Sequence, residues 1–329
     1  MQEKSRLPAK RWPDTEASGD SAGEPKQKIA RPATDIPSGR QPEVKTAVKW
    51  AVSEDKGRRN EFEDRAVANE DGRADKSTAT RVAFFAVMDG HAGRRAADFA
   101  ADRLHSLALE AGLVPEGLAI GHQAIDLQAV KAAVLKAFEK TDAAFLAAAA
   151  SGGNWSDGAA AAAVWVIGER VVVANVGDVK AVLARQQDQQ AALKAVTVTK
   201  EHKAIYPAER ARIEKAGGSV ENGRLAGRLE VSRSFGDAAF KKLGASSVPN
   251  ITSFELSLRD RFLLVACDGF WNLWSADDAV QSTTALLAEG MDQKAVTNRL
   301  LNITVRERRC KDNCTLMLLE FVRSEKPES

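Results

Sequence analysis

Three cysteines in 329 residues, Cys267, Cys310 and Cys314, are too few and too unevenly spaced for a disulfide framework or a zinc knuckle. That scarcity fits a reducing, intracellular setting. An excess of one charge is also lacking: 47 Lys and Arg against 45 Asp and Glu leave a formal net charge of +2. Such a balance gives no global electrostatic footprint for nucleic acid, which is therefore not an expected partner. No stretch approaches the roughly 20 apolar residues of a membrane-spanning helix, and the alanine tracts at 147–150 and 159–163 are far shorter. No membrane partner is expected. The polar N-terminal stretch also lacks the apolar centre of a signal peptide.

With 44% hydrophobic residues, the chain can build one large domain or two modest ones. Proline is concentrated at one end. Pro8, Pro13, Pro25, Pro32, Pro37 and Pro42, six of the ten, fall within residues 1 to about 45 among mixed charges, the composition of a disordered tail. Lys10-Arg11 and Lys26-Gln27-Lys28 with Arg31 have the form of a two-part nuclear import signal, although a solvated tail is the preferred reading. The expected location is cytoplasmic, with a nuclear pool if that signal is read. A globular domain is expected over 46–323, followed by a short tail at 324–329.

Within the domain, strands are expected at 46–52, 64–68, 80–88, 160–167, 170–176, 181–185, 262–266 and 313–321. Gly168-Glu169 reads as a hairpin turn, making the sheet at least partly antiparallel. Apolar residues recur at helical spacing over 96–108 and 130–145. Further helices are expected at 207–216, 276–288 and 293–308. Helices inserted into long antiparallel connections indicate α+β layers rather than a wound parallel sheet.

Carboxylates mark the ends of these apolar runs. Phe84-Phe85-Ala86-Val87-Met88 delivers Asp89-Gly90-His91-Ala92-Gly93 to one point. Another run ends at Asp178 and a third at Asp268-Gly269, while Asp312-Asn313 and Glu63-Asp64 each open one. A single Asp-Gly pair is usually a turn. Five such placements are harder to dismiss, because carboxylates at the ends of neighbouring buried strands repel one another unless a cation lies between them. Hard divalent ions such as Mg²⁺ or Mn²⁺ suit all-oxygen ligand sets.

The order of motifs resembles the metal-dependent protein phosphatases of the 2C type from about Val44 to Val322. The resemblance starts at Arg59-Asn60-Glu61-Phe62-Glu63-Asp64, with Phe62 where the family has Met. It continues through Asp89-Gly90-His91-Ala92-Gly93, Ala174-Asn175-Val176-Gly177-Asp178 and Leu225-Ala226-Gly227-Arg228-Leu229-Glu230-Val231-Ser232-Arg233-Ser234-Phe235-Gly236-Asp237, the last resembling the segment beside the family's substrate flap. Ala266-Cys267-Asp268-Gly269-Phe270-Trp271 and Lys311-Asp312-Asn313 complete it. Ser156-Asp157-Gly158 and 229–234 look most like the integrin-linked kinase-associated branch.

The resemblance implies a four-layer αββα sandwich, two mainly antiparallel sheets flanked by helices, with a metal site at one end. It implies a serine/threonine phosphatase acting on phosphorylated proteins, with two Mg²⁺ or Mn²⁺ ions and a weak third. Asp64, Asp89, the Gly90 carbonyl, Asp268 and Asp312 would surround the pair, with Asp89 bridging and Glu63 holding water. Two metals about 4 Å apart lower the pKa of a bridging water for in-line attack at phosphorus. By the same resemblance Arg59 binds phosphate, His91 is the general acid and Asp178 belongs to the third site.

Departures from the family text are informative. Val179 and Lys180 replace Ser and Arg after Asp178, and Asn272 replaces an Asp four residues after Asp268, which puts the third metal in question. Ala92 replaces a glycine, implying strain of about 1 kcal/mol if the backbone there needs positive φ. Ala159 and Ala160 lose common hydroxyls, and Cys267 is either inert packing or an oxidation sensor. A non-catalytic scaffold and a hydrolase of small phosphate esters are the alternatives, and a monomer is the default.

Overall fold

Strand β4 (Gly158–Ile167) is buried at every position, so its sequence shows no polar alternation. Side chains of a strand alternate between faces. Ala159, Ala161, Ala163, Trp165 and Ile167 enter a core beneath two helices, whereas Ala160, Ala162, Val164 and Val166 enter a second core between two sheets. The computed structural model describes residues 45–73, 82–114, 126–153, 155–187 and 192–324. The expected N-terminal tail up to residue 44, with its basic clusters, and residues 325–329 lie outside the described residues.

The first sheet runs in the order β1 (Lys45–Asp55), β13 (Cys314–Ser324), β12 (Asp260–Ala266), β6 (Lys180–Gln186) and β7 (Leu193–Thr197). The second runs β11 (Asn250–Glu255), β5 (Arg170–Val176), β4, β3 (Val82–His91) and β2 (Arg65–Asn69), and β10 (Phe235–Gly236) also pairs with β4. All these pairs are antiparallel. Helices α1 (Arg95–Glu110) and α2 (Leu127–Ser151) cover the second sheet. Helices α5 (Asp268–Trp271), α6 (Ala276–Ala288) and α7 (Gln293–Asn302) cover the first. Three stacked cores therefore separate four layers, the expected αββα sandwich. No described helix is long and apolar enough to cross a membrane.

A small excursion follows β7. Helices α3 (Pro207–Lys215) and α4 (Ala238–Lys241) and the hairpin of β8 (Val220–Glu221) with β9 (Arg224–Leu225) share a core of Ala204, Ile213, Leu225 and Ala245. This excursion, called the flap below, contributes Arg224, Arg228 and Phe240 to the wall of the cleft described next.

The expected hairpin at Gly168-Glu169 joins β4 to β5. The helix expected over 293–308 instead ends at Asn302 and continues as a wider π turn, Ile303–Glu307. Strands β7 and β11 are at sheet edges with few buried side chains, so they lack the continuous apolar runs of the central strands.

Candidate metal centre and its cleft

Alternation along four strands aims their terminal residues into one place. On β3, Ala83, Phe85 and Val87 face the inter-sheet core, and Asp89 is the next residue on that face. Ala66 and Ala68 of β2 share that core, so Asp64 precedes them on the same side. Leu263 and Val265 of β12 lead likewise to Cys267, and Met317 and Leu319 of β13 lead back to Thr315. Ligand atoms of Asp64, Asp89 and Cys267 all lie within 4.8 Å of one another.

Cys267 is not the anionic member of this group. Its hydrogen bond with Cys314 pulls the thiol down, but burial and the charges of Asp64 and Asp89 outweigh it and hold the thiol at about 12. Its sulfur accepts from the Thr315 amide at 3.2 Å, as a buried packing cysteine would. The remaining acidic groups are oxygen donors. A cleft of about 620 Å³ is lined by Arg59, Glu63, Asp89, Gly90, His91, Asp178, Asp268 and Asp312, which leaves only Asp64 of the expected site residues, fully buried, off its wall.

The carboxylates are held against their ordinary ionisation. Burial pushes Asp64 up to about 7, with Asp268 and Asp312 adding to the effect and a 2.7 Å hydrogen bond from Thr315 opposing it. Burial and the charges of Asp178 and Asp312 bring Asp268 to about 6. Asp89 is raised well above the usual carboxylate range by burial and by Asp64 and Asp268. Such a cluster ionises fully only with a cation in its midst. Asp64 Oδ1 is buried without any hydrogen-bond partner, an unfilled acceptor in an all-oxygen set, and thus fits a hard divalent ion.

Neighbouring groups fix the loops. Asn313 accepts from the Glu63 amide at 2.8 Å and donates to the carbonyls of Lys56 and Glu61, each at 3.0 Å. Glu63 Oε1 accepts from the Gly93 amide at 2.6 Å. A Cβ on Gly90 would lie 2.4 Å from the Glu63 carbonyl oxygen, so this strand approaches the motif more closely than any side chain permits. Ala92 adopts φ 56°, the left-handed conformation whose strain the sequence anticipated conditionally.

Several expected residues already have polar partners. Arg59 Nη2 lies 2.6 Å from Asp312 Oδ2. Asp178 lies on the crossing from β5 to β6, between the two sheets, and meets Lys203 Nζ at 3.3 Å; burial raises its pKa while Lys203 opposes the shift. Asn272, standing where an Asp was expected, donates to Asp268 Oδ2 at 3.2 Å.

The sequence assigned no role to Asp237, yet its Oδ2 lies 2.8 Å from His91 Nε2 and accepts from Ser234 Oγ at 2.6 Å. Burial alone would lower the imidazole pKa, but the Asp237 carboxylate outweighs it and the net shift is upward. Asp237 itself adopts φ 53° and donates its amide to the Asp157 carbonyl at 2.9 Å. Its only sequence signal was its place at the end of the 225–237 motif.

Residues 48–314 match the family described as Protein phosphatase 2C. This chain belongs to that family. "Probable protein phosphatase 2C 8" of Arabidopsis thaliana is 47% identical over 286 residues, covering 84% of this chain and 79% of that protein. "Integrin-linked kinase-associated serine/threonine phosphatase 2C" of Homo sapiens is 37% identical over 291 residues, covering 83% and 72%. A solved serine-threonine phosphatase 2C from Toxoplasma gondii has the same fold, with a TM-score of 0.75 at 23% identity over 86% of this chain and 98% of that one. Protein phosphatase 2C enzymes are serine/threonine phosphatases that use Mg²⁺ or Mn²⁺, so the expected enzyme class and hydrolase activity stand. Asp64 and Asp89 offer carboxylate oxygens of the kind such ions take.

Proposed function

We propose that this chain hydrolyses phosphoserine and phosphothreonine in proteins by direct attack of water, without a phosphorylated enzyme. The observation that supports this reading is the convergence of Asp64, Asp89 and Asp268, all with raised pKa, on one end of the inter-sheet core. Two Mg²⁺ or Mn²⁺ ions, held by Asp64, Asp89, the Gly90 carbonyl, Asp268 and Asp312, would supply activation of water and neutralisation of phosphoryl charge. Glu63, fixed by Gly93 and Asn313, orients water beside them.

Arg59 has the planar fork that grips two phosphoryl oxygens, and in the substrate complex it exchanges Asp312 for phosphate. His91, with Nε2 engaged by Asp237, has Nδ1 left to protonate the departing serine or threonine oxygen. The lysine on Asp178 and the amide on Asp268 both disfavour a third ion, so two are proposed. A monomeric state and a cytoplasmic or nuclear location belong to the same proposal.

Phosphate release from a phosphothreonine peptide, with Mn²⁺ or Mg²⁺ and then with EDTA, tests the reading. Turnover should vanish with EDTA and fall at least about a hundred-fold in Asp89→Asn and Asp268→Asn. His91→Gln should cost roughly 10²–10⁴-fold on the peptide but far less on p-nitrophenyl phosphate, whose leaving group needs no proton. Folded protein with added metal and no turnover would overturn the proposal.

A further inference from the structure

Three guanidinium groups line the cleft, those of Arg59, Arg224 and Arg228. Arg59 is neutralised by Asp312 at 2.6 Å and Arg224 by Glu230 at 2.9 Å. The cations nearby are matched as well: Lys203 pairs with Asp178 and Glu230, Arg233 with Glu209, and Lys241 with Asp142. Arg228 is exposed and has no carboxylate partner among the described residues.

Its position is nonetheless defined. The guanidinium carbon lies 4.9 Å from the centre of the Phe240 ring, within cation–π range. Leu225 and Leu229, on either side of the turn, pack into the flap core that Phe240 also joins. Arg224 Nη1 donates to the Arg228 carbonyl at 3.1 Å, and Ala226 at φ 49° with Gly227 at φ 69° sharpens the turn. A cation held this way loses little further freedom when it binds, and its uncompensated charge on a cleft wall attracts anions. The cleft, at about 620 Å³, accommodates a ligand much larger than one phosphate group.

We infer that Arg228 is a specificity residue, selecting substrates with a second anionic group, a carboxylate or another phosphate, close to the phosphorylated serine or threonine. This rests on the phosphatase reading above. The test is kcat/KM for phosphothreonine peptides in which a single glutamate is moved through the positions on either side, with an alanine-flanked peptide as reference. A further peptide carries phosphoserine at the preferred position, which separates the two sources of negative charge.

The protein should prefer at least one acidic peptide about three- to ten-fold, mainly through KM, and the preference should shrink with added salt. Arg228→Ala should bring the acidic-to-neutral ratio to one, and Arg228→Lys should keep part of it. The inference is overturned if the unmodified protein shows no preference or if Arg228→Ala retains it. It is also overturned if Arg228→Ala weakens acidic and neutral peptides equally, because the arginine would then be contacting the scissile phosphate. Absence of metal-dependent turnover of the neutral peptide would instead remove the phosphatase reading, and this inference with it.

Discussion

Ala92 shows what one methyl group costs at a tight turn. At φ 56° it sits between His91 and Gly93, where an L-side chain is strained by about 1–2 kcal/mol. Ala92→Gly relieves that strain and gives back part of the gain to the more flexible unfolded chain. The net gain should be about 0.5–1 kcal/mol, a rise of roughly 1–4 °C in Tm for a domain of this size, measurable by calorimetry. An unchanged or lower Tm would refute the strain. At this scale the carboxylates were legible, because each abuts an apolar run that carries it to the same end of a sheet. Asp237 was not: its partner His91 is 146 residues away, and only the pairing of β3, β4 and β10 brings the two together.

The flap has an ionic base. Glu209 of α3 is buried and accepts from Arg233 Nη2 at 2.5 Å, Ser232 Oγ at 2.7 Å and Arg212 Nε at 3.0 Å. Burial alone would raise its pKa, but the bonds from Arg233 and Ser232 reverse that and hold it at about 2, below its ordinary 4.5. The unfolded chain therefore takes up this proton first. Glu209's contribution is fully present above about pH 4.5 and is lost as pH falls towards about 2. Denaturant titrations should show Glu209→Gln less stable than the unmodified protein at about pH 5, with the gap narrowing at about pH 3. A constant gap would mean that Glu209 is not ionised in the fold. Among the larger elements, the central strands and α6 were readable because burial on both faces or at helical spacing leaves a long apolar signal. The edge strands β7 and β11 and the two-residue strands of the flap were not, since tertiary pairing rather than composition creates them.

At the scale of the whole molecule, metal binding and stability are one equilibrium. The raised carboxylates repel one another in the metal-free fold, and a divalent ion that binds only the folded state stabilises it by about 2.7 kcal/mol at a hundred times its dissociation constant. Adding Mn²⁺ at neutral pH should therefore raise Tm by roughly 5–10 °C. Protons compete for Asp64 and Asp268, which titrate at about 7 and about 6, so the shift should diminish as pH falls below about 7. A metal-induced shift that is the same at about pH 5.5 as at about pH 7.5 would argue against these ligands. The antiparallel α+β layering was legible in the apolar runs of the central strands and the Gly168-Glu169 turn, while the four-layer arrangement came from the family resemblance; the hydrogen-bonded posture of Arg59 on Asp312 was not legible, since it depends on two loops meeting. The register of β1 with β13, from Lys45 opposite Ser324 to Asp55 opposite Cys314, places an early strand beside the final described one. On the ribosome, a chain translated as far as Cys267 already contains Glu63, Asp64 and Asp89 but still lacks Asp268, Asp312, the Asn313 anchor and the strand that carries Thr315. With the proposed ligand set, the nascent chain would stay inert until synthesis has brought the two ends of the domain together.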